Sequence, residues 1–286
     1  MRLNWPIKMW KTLTTKELNQ AYNSQMAVKD SEEIASRWIS ESDALRRGLK
    51  GDFNLPYGLL DRQKYDFFSA GVNAPVVVYV HGGYWQMRSK DEFLFIVPKL
   101  LEAGISVAML GYSLAPEASI NQIVSDIKIG IRAIDAKIRS SSTTFKGLWL
   151  LGWSAGAHLI TMTLDEPSVL GGTAVSGIYD LEPIMHTYVN EKLQLNPQSS
   201  LQNSPIKNQN HFLKPLDLFA GGDELPEMQR QTSDFFEYRQ IHQQIGDFKI
   251  LAGLNHYTIL DSFTAKNGEV LEAVRRRVLD ICNSTV

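Results

Sequence analysis

Runs of apolar residues with the length of β-strands alternate with longer amphipathic segments from about residue 74 onward. In one such segment isoleucines recur at spacings of four and three from Ile123 to Ile134, which is typical of one face of a helix. The predicted strands are 74–81, 105–110, 147–151, 173–178, 215–220 and 248–252, and the predicted helices are 89–103, 120–138, 155–164, 226–245 and 268–282. This alternation predicts an α/β fold with a mostly parallel central sheet and helices on both faces.

Two stretches interrupt the alternation. Residues 1–60 are mixed, with an amphipathic segment at 16–38 and no clear strand, and we interpret them as an arm packed against the sheet. Residues 181–214 are rich in Asn, Gln, Ser and Pro, and they are too long for a plain loop. Such insertions usually serve as lids or binding segments. We therefore expect one domain over 1–286, with an arm at about 1–60 and a cap or lid insertion at about 181–214.

Composition narrows the class of protein. With 44% hydrophobic and 21% charged residues in 286 positions, the chain is typical of a globular protein. Its one cysteine, Cys282, excludes a scaffold held by intrachain disulfides. Lys and Arg number 29 against 31 Asp and Glu, a net charge of -2 that provides no general attraction to nucleic acid or to an anionic membrane. Because the chain shows neither a signal peptide nor 18 consecutive apolar residues, we expect a cytoplasmic protein.

Residues 152–156, Gly-Trp-Ser-Ala-Gly, match the pattern G-x-S-x-G between a predicted strand and a predicted helix. The pattern alone is weak, but in this context it indicates a sharp turn that exposes a serine hydroxyl at the carboxyl edge of the sheet. Small flanking residues allow the backbone to turn tightly and to approach a substrate. The sequence therefore predicts Ser154 as a nucleophile.

A second motif follows the first predicted strand. Residues 81–85 read His-Gly-Gly-Tyr-Trp, and in hydrolases of this architecture the loop at this place contributes a backbone N–H to the oxyanion hole. The other N–H comes from the residue after the nucleophile. The predicted oxyanion-hole residues are Gly82, Gly83, Tyr84 and Ala155. Alone, the motif would indicate an ordinary glycine turn. We expect Tyr84, Trp85 and Trp153 to lie beside the nucleophile and to line an aromatic pocket.

A nucleophilic serine requires a base downstream in this architecture. His256 lies in a loop directly after the last predicted strand and before the closing helix, which is the position that a catalytic histidine requires. The alternatives are His158, one turn past Ser154 and directed into the fold; His186 and His211, in the insertion; and His242, in a predicted helix. We predict His256 as the base.

The acid that orients the histidine is less defined. The strand 215–220 ends in a loop with two adjacent carboxylates, Asp223 and Glu224. Neighbours in an extended loop point in opposite directions, so only one is expected to reach His256. Asp217, inside the strand, is a weaker third candidate. From the residues alone the choice stays open.

Other chemistries lack their motifs. The chain has no H-E-x-x-H, no C-x-x-C pair, no P-loop and no G-x-G-x-x-G that opens a helix after a strand. We therefore expect no metal and no cofactor. Residues 275–277, three consecutive arginines, are interpreted as the exposed face of a helix and not as a nucleic-acid site.

The quoted motifs resemble the α/β-hydrolase family and, more narrowly, its kynurenine formamidase branch. The similarity includes residues 17–23, 57–58, 65–67, 81–85, 152–159, 176–183, 222–231 and 255–256. It implies cofactor-free hydrolysis of N-formyl-L-kynurenine to L-kynurenine and formate. It also implies that Glu224 is the acid, although the branch often has aspartate there, and that the segment after 176–183 shapes the substrate pocket. We include Tyr179 among the predicted pocket residues.

Two other functions remain open. The first alternative is a carboxylesterase that uses the same residues on a small acyl or methyl ester, because site chemistry defines the reaction type better than the substrate. The second is a non-catalytic binding protein on a hydrolase fold. The expected partner is a small-molecule substrate, with a homodimer as a possible assembly and with no nucleic acid or membrane partner.

Overall fold

One mixed sheet organises the chain in this computed structural model, which describes residues 9–142, 144–208 and 213–283. The strands are β1 (Asp52–Pro56), β2 (Lys64–Phe68), β3 (Val76–Val80), β4 (Ser106–Leu110), β5 (Leu148–Trp153), β6 (Val169–Val175), β7 (Leu216–Gly221) and β8 (Phe248–Leu251). They lie in the order β1-β2-β4-β3-β5-β6-β7-β8. Strands β3 to β8 are parallel, whereas β1 and β2 pair antiparallel at one edge.

Helices cover both faces of this sheet. They are α1 (Thr15–Ala21), α2 (Ser24–Ala27), α3 (Ser31–Arg46), α4 (Val97–Glu102), α5 (Ile120–Arg139), α6 (Ala155–Thr161), α7 (Asn190–Leu193), α8 (Pro197–Gln202), α9 (Pro226–Ile241) and α10 (Glu269–Asn283). One apolar core joins α5, α6 and α9 to the sheet, and a second joins α3, α4 and α10 to the opposite face. Because both faces are covered, central strands such as β3 are apolar throughout. The fold is the predicted α/β architecture.

All six predicted strands and five predicted helical segments are present, with shifted ends. The strand predicted at 173–178 runs from Val169 to Val175, because Ser176 turns the chain with a φ of 55°. The helix predicted at 89–103 is a 3₁₀ segment, Lys90–Ile96, followed by α4, and the 3₁₀ segment is kinked at Phe93, which has non-helical backbone angles.

The absence of a strand in residues 1–60 is a wrong prediction. Strand β1 is short, edge-located and partly exposed, so it has little apolar patterning. Its partner β2 contains a buried carboxylate, Asp66, which accepts hydrogen bonds from Lys90 Nζ at 2.7 Å and from the Asn54 backbone N–H at 2.7 Å. A charged residue inside a strand is stable here because a partner distant in sequence neutralises it.

The arm packs against two other parts of the chain, the loop after β8 and the insertion. Trp38 of α3 is 1% exposed and stacks on Tyr257 with ring centroids 5.5 Å apart. Asn19 of α1 accepts a hydrogen bond from the backbone N–H of Tyr188 at 2.8 Å. The arm thereby reaches the loop that follows β8 and the segment that follows β6.

Within its described part, the insertion is helical. It contains a 3₁₀ turn at Pro183–His186, then α7, α8 and a second turn at Pro205–Lys207. The hydroxyl of Ser204 accepts a hydrogen bond from the Leu181 backbone N–H at 2.8 Å and joins the two ends of the segment. His211 lies outside the described residues, as do residues 1–8, on which part of the expectation about targeting depends. Among the helices of the described ranges, none is sufficiently long and apolar to cross a membrane.

Candidate active site

Ser154 occupies a strained turn between β5 and α6. Its φ is 56° and its ψ is -120°, a region that side-chain-bearing residues rarely adopt. Its backbone N–H donates to the Val175 carbonyl at 2.8 Å, so the neighbouring strand holds the turn. A Cβ added to Gly156 would lie 2.0 Å from the Val80 carbonyl oxygen, which explains why a residue without a side chain is required there. The turn places Ser154 at the carboxyl edge of the sheet.

His256 reaches Ser154 from the loop after β8. Its Nε2 lies 3.1 Å from the Ser154 Oγ, and the residue is only 5% exposed. The Asn255 side-chain oxygen accepts from the backbone N–H groups of Tyr257 and Thr258, both at 2.9 Å, and this turn fixes the loop. The two residues predicted as nucleophile and base therefore lie within hydrogen-bond distance.

Glu224 completes the chain of contacts. Its Oε2 is 3.0 Å from His256 Nδ1, and its Oε1 accepts from the Gly221 N–H at 2.7 Å and from the Ser176 hydroxyl at 2.5 Å. A carboxylate only accepts, so Nδ1 carries the hydrogen and Nε2 is free to accept from the Ser154 hydroxyl. This geometry has the arrangement of a nucleophile, a base and an orienting acid.

The other acid candidates lie elsewhere. Asp223 is exposed, and its side chain is not among the contacts of His256. Asp217 is buried on β7, where Arg277 donates to both of its carboxylate oxygens at 2.6 and 2.8 Å. Among the described carboxylates, Glu224 is the one that the structure places beside His256.

The 81–88 loop contains consecutive residues with positive φ: Gly83 at 116°, Tyr84 at 48° and Trp85 at 59°. A Cβ on Gly83 would lie 2.3 Å from the Met87 carbonyl oxygen, so this position requires glycine. The His81 ring lies under the loop, with Nδ1 2.7 Å from the Gly82 carbonyl oxygen. A carbonyl oxygen only accepts, so this contact makes His81 Nδ1 a donor that fixes the direction of the Gly82 peptide.

The predicted oxyanion donors have free backbone N–H groups. Within the described ranges the backbone N–H groups of Gly83, Tyr84 and Ala155 donate to no protein acceptor, and Ala155 is the first residue of α6. Gly83 and Tyr84 line the same cleft as Ser154. The fourth candidate, Gly82, also donates to no protein acceptor within the described ranges. A Cβ added there would lie 2.6 Å from the Trp153 ring and 2.9 Å from the Ser154 Cβ, so its backbone packs directly beside the nucleophile, and its role stays a prediction.

A cleft of about 530 Å³ opens above Ser154 and His256. Trp153 and Tyr84 line it as predicted, and the Trp153 indole N–H donates to the His256 carbonyl at 2.9 Å. Two predicted pocket residues are wrong. Trp85 is fully buried beneath its own loop, and Tyr179 is fully buried and stacks on Phe235 with centroids 4.3 Å apart. Both side chains belong to the apolar core and do not line the cleft.

The sequence analysis missed most of the cleft lining. One wall comes from residues 23–32 of the arm, which we call the arm wall, and other lining residues are Arg88, Tyr188 and Tyr257. Tyr257 adjoins the predicted base, and that adjacency is a signal that could have indicated it. Nothing in the spacing of the arm wall relates it to residues more than fifty positions away.

The other histidines in the described part of the chain do not line the cleft. His158 is fully buried, and burial lowers its pKa from 6.5 to about 4. His186 stacks on Trp10 with centroids 5.8 Å apart, and His242 is exposed at the end of α9. Within the described residues, no three His, Cys, Asp or Glu side chains form a group able to hold a metal ion.

Comparison with known proteins adds three similarities. The BD-FAE family model matches residues 68–168. Kynurenine formamidase of Danio rerio is 30% identical over 90% of this chain and 94% of its own length, and that of Salmo salar is 32% identical over 80% and 84%. Among solved structures, a Silicibacter protein provisionally assigned as a thioesterase has a TM-score of 0.81 at 26% identity, covering 90% of this chain and 98% of that one.

Proposed function

The chain belongs to the kynurenine formamidase family of α/β-hydrolases, and from this premise we propose that it hydrolyses N-formyl-L-kynurenine to L-kynurenine and formate. The observation that carries the proposal is the aligned contact chain from Ser154 through His256 to Glu224 at the base of an aromatic cleft. The reaction is a two-step acyl transfer with Ser154 as nucleophile.

In the first step the Ser154 Oγ attacks the formyl carbonyl carbon while His256 Nε2 takes the hydroxyl proton. Glu224 keeps the hydrogen on Nδ1 and stabilises the imidazolium that forms. The two further hydrogen bonds to Glu224, from Gly221 and Ser176, hold the carboxylate in this orientation.

The carbonyl oxygen becomes negative as the tetrahedral intermediate forms. The free N–H groups of Ala155 and of Gly83 or Tyr84 are the donors that we assign to it. In other enzymes one such donor contributes about 3 kcal/mol to transition-state stabilisation.

The intermediate then collapses. His256 gives its proton to the arylamine nitrogen, and the C–N bond breaks. L-kynurenine leaves, and the formyl group remains on Ser154 as an ester. Water, deprotonated by His256, adds to that ester, and formate leaves as Ser154 regains its proton. One water molecule is consumed for each formamide cleaved.

The cleft suits the leaving group. Trp153, Tyr188 and Tyr257 provide aromatic surface for an aryl ring. Lys29 and Glu32 of the arm wall provide charges of both signs for the zwitterionic amino-acid end. A formyl group carries only a hydrogen on its carbonyl carbon, so the acyl side needs no room beyond the base of the cleft.

Steady-state hydrolysis tests the proposal. N-formyl-L-kynurenine is compared with short p-nitrophenyl esters, and Ser154→Ala is the blank for each. We expect kcat/KM for formylkynurenine of about 10⁴ M⁻¹s⁻¹ or more, above the values for the esters.

Two outcomes would contradict the proposal. Turnover of the esters alone would assign a carboxylesterase. Absence of turnover, together with failure of a fluorophosphonate probe to label Ser154, would assign a binding protein.

A further inference from the structure

The 81–88 loop holds two consecutive side-chain-bearing residues, Tyr84 and Trp85, at positive φ. Such backbone conformations are strained, so they persist only where the surroundings enforce them. Trp85 connects this loop to the rest of the protein. Its carbonyl accepts from the Ala115 N–H at 2.8 Å, and its indole N–H donates to His158 Nδ1 at 3.1 Å.

His158 is fully buried and uses both ring nitrogens. Its Nε2 lies 2.8 Å from the Asn203 carbonyl oxygen. An indole N–H only donates and a carbonyl only accepts, so the pair of contacts fixes one tautomer: Nδ1 accepts and Nε2 carries the hydrogen. Burial, which lowers the pKa of His158 to about 4, keeps this neutral form at ordinary pH.

Three parts of the molecule meet at this one ring. His158 belongs to α6, and its backbone N–H donates to the Ser154 carbonyl at 3.2 Å. Its ring binds the 81–88 loop on one side and the insertion, at Asn203, on the other. The Asn203 side chain in turn donates to Asn121 of α5 at 2.5 Å. The His158 ring thus holds the loop in a fixed position relative to α6, the helix that begins directly after Ser154.

We propose that His158 is a positioning residue that holds the oxyanion donors of the 81–88 loop in register with Ser154 through the Trp85 indole. The inference rests on the serine mechanism proposed above, and it applies to whichever acyl substrate the enzyme turns over. A purely structural role would change stability without changing the balance between substrate binding and turnover.

Four variants separate these roles. His158→Leu removes both side-chain hydrogen bonds, and Trp85→Phe removes only the indole donor. His158→Gln supplies one acceptor and one donor and should restore the connection. The matched control is Trp149→Phe, because Trp149 is equally buried and its indole N–H donates to the Thr173 hydroxyl at 3.0 Å within the sheet.

The readouts are kcat, KM and affinity for an arylboronic acid, whose tetrahedral adduct on Ser154 needs the oxyanion donors. We expect kcat to fall by about 10-fold to 100-fold in His158→Leu and Trp85→Phe, since the donors are displaced and not removed. KM should stay within about threefold, and boronic acid affinity should fall in parallel with kcat. His158→Gln should recover most of kcat, and Trp149→Phe should lower the melting temperature alone.

Unchanged kcat and boronic acid affinity in folded Trp85→Phe would overturn the inference, and this variant decides the matter if His158→Leu does not fold. A loss in His158→Gln as large as in His158→Leu would also overturn it. Failure of the proposed mechanism has a different signature: wild-type turnover would persist in Ser154→Ala, and the boronic acid would not bind.

Discussion

The base and the arm wall of the cleft are built in opposite ways. The base consists of buried groups at the ends of parallel strands, and Ser154 and His256 are 3% and 5% exposed. The arm wall comes from α2 and the first turn of α3, and Met26 within it is 82% exposed. The base is over-determined by strand pairing and hydrogen bonds, whereas few buried contacts hold the wall.

Tyr22, which directly precedes the arm wall, is fully buried and anchors the start of the wall. Its hydroxyl donates to Glu227 at 3.0 Å and accepts from Gln231 at 3.0 Å, and its carbonyl accepts from the Tyr84 hydroxyl at 2.5 Å. The two regions differ in how firmly they are held, and this difference predicts different roles for them. We expect the chemistry to depend on the base of the cleft and recognition of the leaving group to depend on the arm wall.

The largest expected effect is on the base. Ser154→Ala should lower kcat by on the order of 10⁴-fold or more, because the nucleophile is lost. Binding of L-kynurenine, measured by calorimetry, should change by less than about threefold, since the wall is intact. Near-normal turnover in this variant would remove Ser154 from the mechanism.

Glu224→Gln should lower kcat by about 10³-fold to 10⁴-fold, because an amide can no longer stabilise the imidazolium or select its tautomer. Asp223→Asn is the matched control on the neighbouring residue and should retain kcat within about twofold. Steady-state kinetics of both variants would check the assignment, and the reverse ranking would transfer the role to Asp223.

Lowering the pH should destabilise the folded protein, because two buried histidines lie beneath the base of the cleft. Burial lowers the pKa of His158 from 6.5 to about 4 and that of His81 to about 3. The unfolded chain therefore binds more protons than the folded chain below pH 6.5, and stability falls as pH falls. The two histidines together should remove about 4 kcal/mol between pH 7.5 and pH 5.

Urea denaturation across this range measures the effect. His158→Gln should remove about half of the pH dependence, because glutamine does not titrate. An unchanged slope in that variant would place the acid sensitivity in other groups.

The smallest effect is expected at the wall. Tyr22→Phe removes a buried hydroxyl that bonds Glu227 and Gln231, and it should cost about 1–2 kcal/mol of stability. KM for formylkynurenine should rise a few-fold while kcat holds. Tyr238→Phe is the control, since the Tyr238 hydroxyl is also buried but has no hydrogen-bond partner among the described residues. Equal melting temperatures for both variants would contradict the role of Tyr22.

Local patterns in the sequence determined the sheet and the base of the cleft. Strand and helix periodicity predicted β3 to β8, and the glycines around Ser154 predicted the turn between β5 and α6. His256 could be selected because its place after β8 is a matter of chain order. These features depend on residues close to one another along the chain, and so the sequence alone indicates them.

Tertiary structure decided the rest. Asp223 and Glu224 are chemically equivalent neighbours, and only the position of His256, thirty-two residues beyond Glu224, distinguishes them. In strand β2 the buried Asp66 is neutralised by Lys90, and the buried Trp85 donates its indole N–H to His158. The arm wall is held at the cleft by contacts between the arm and residues that are distant in sequence. Such contacts leave no periodic signal, since the pairing energy depends on distance in space and not on separation in sequence.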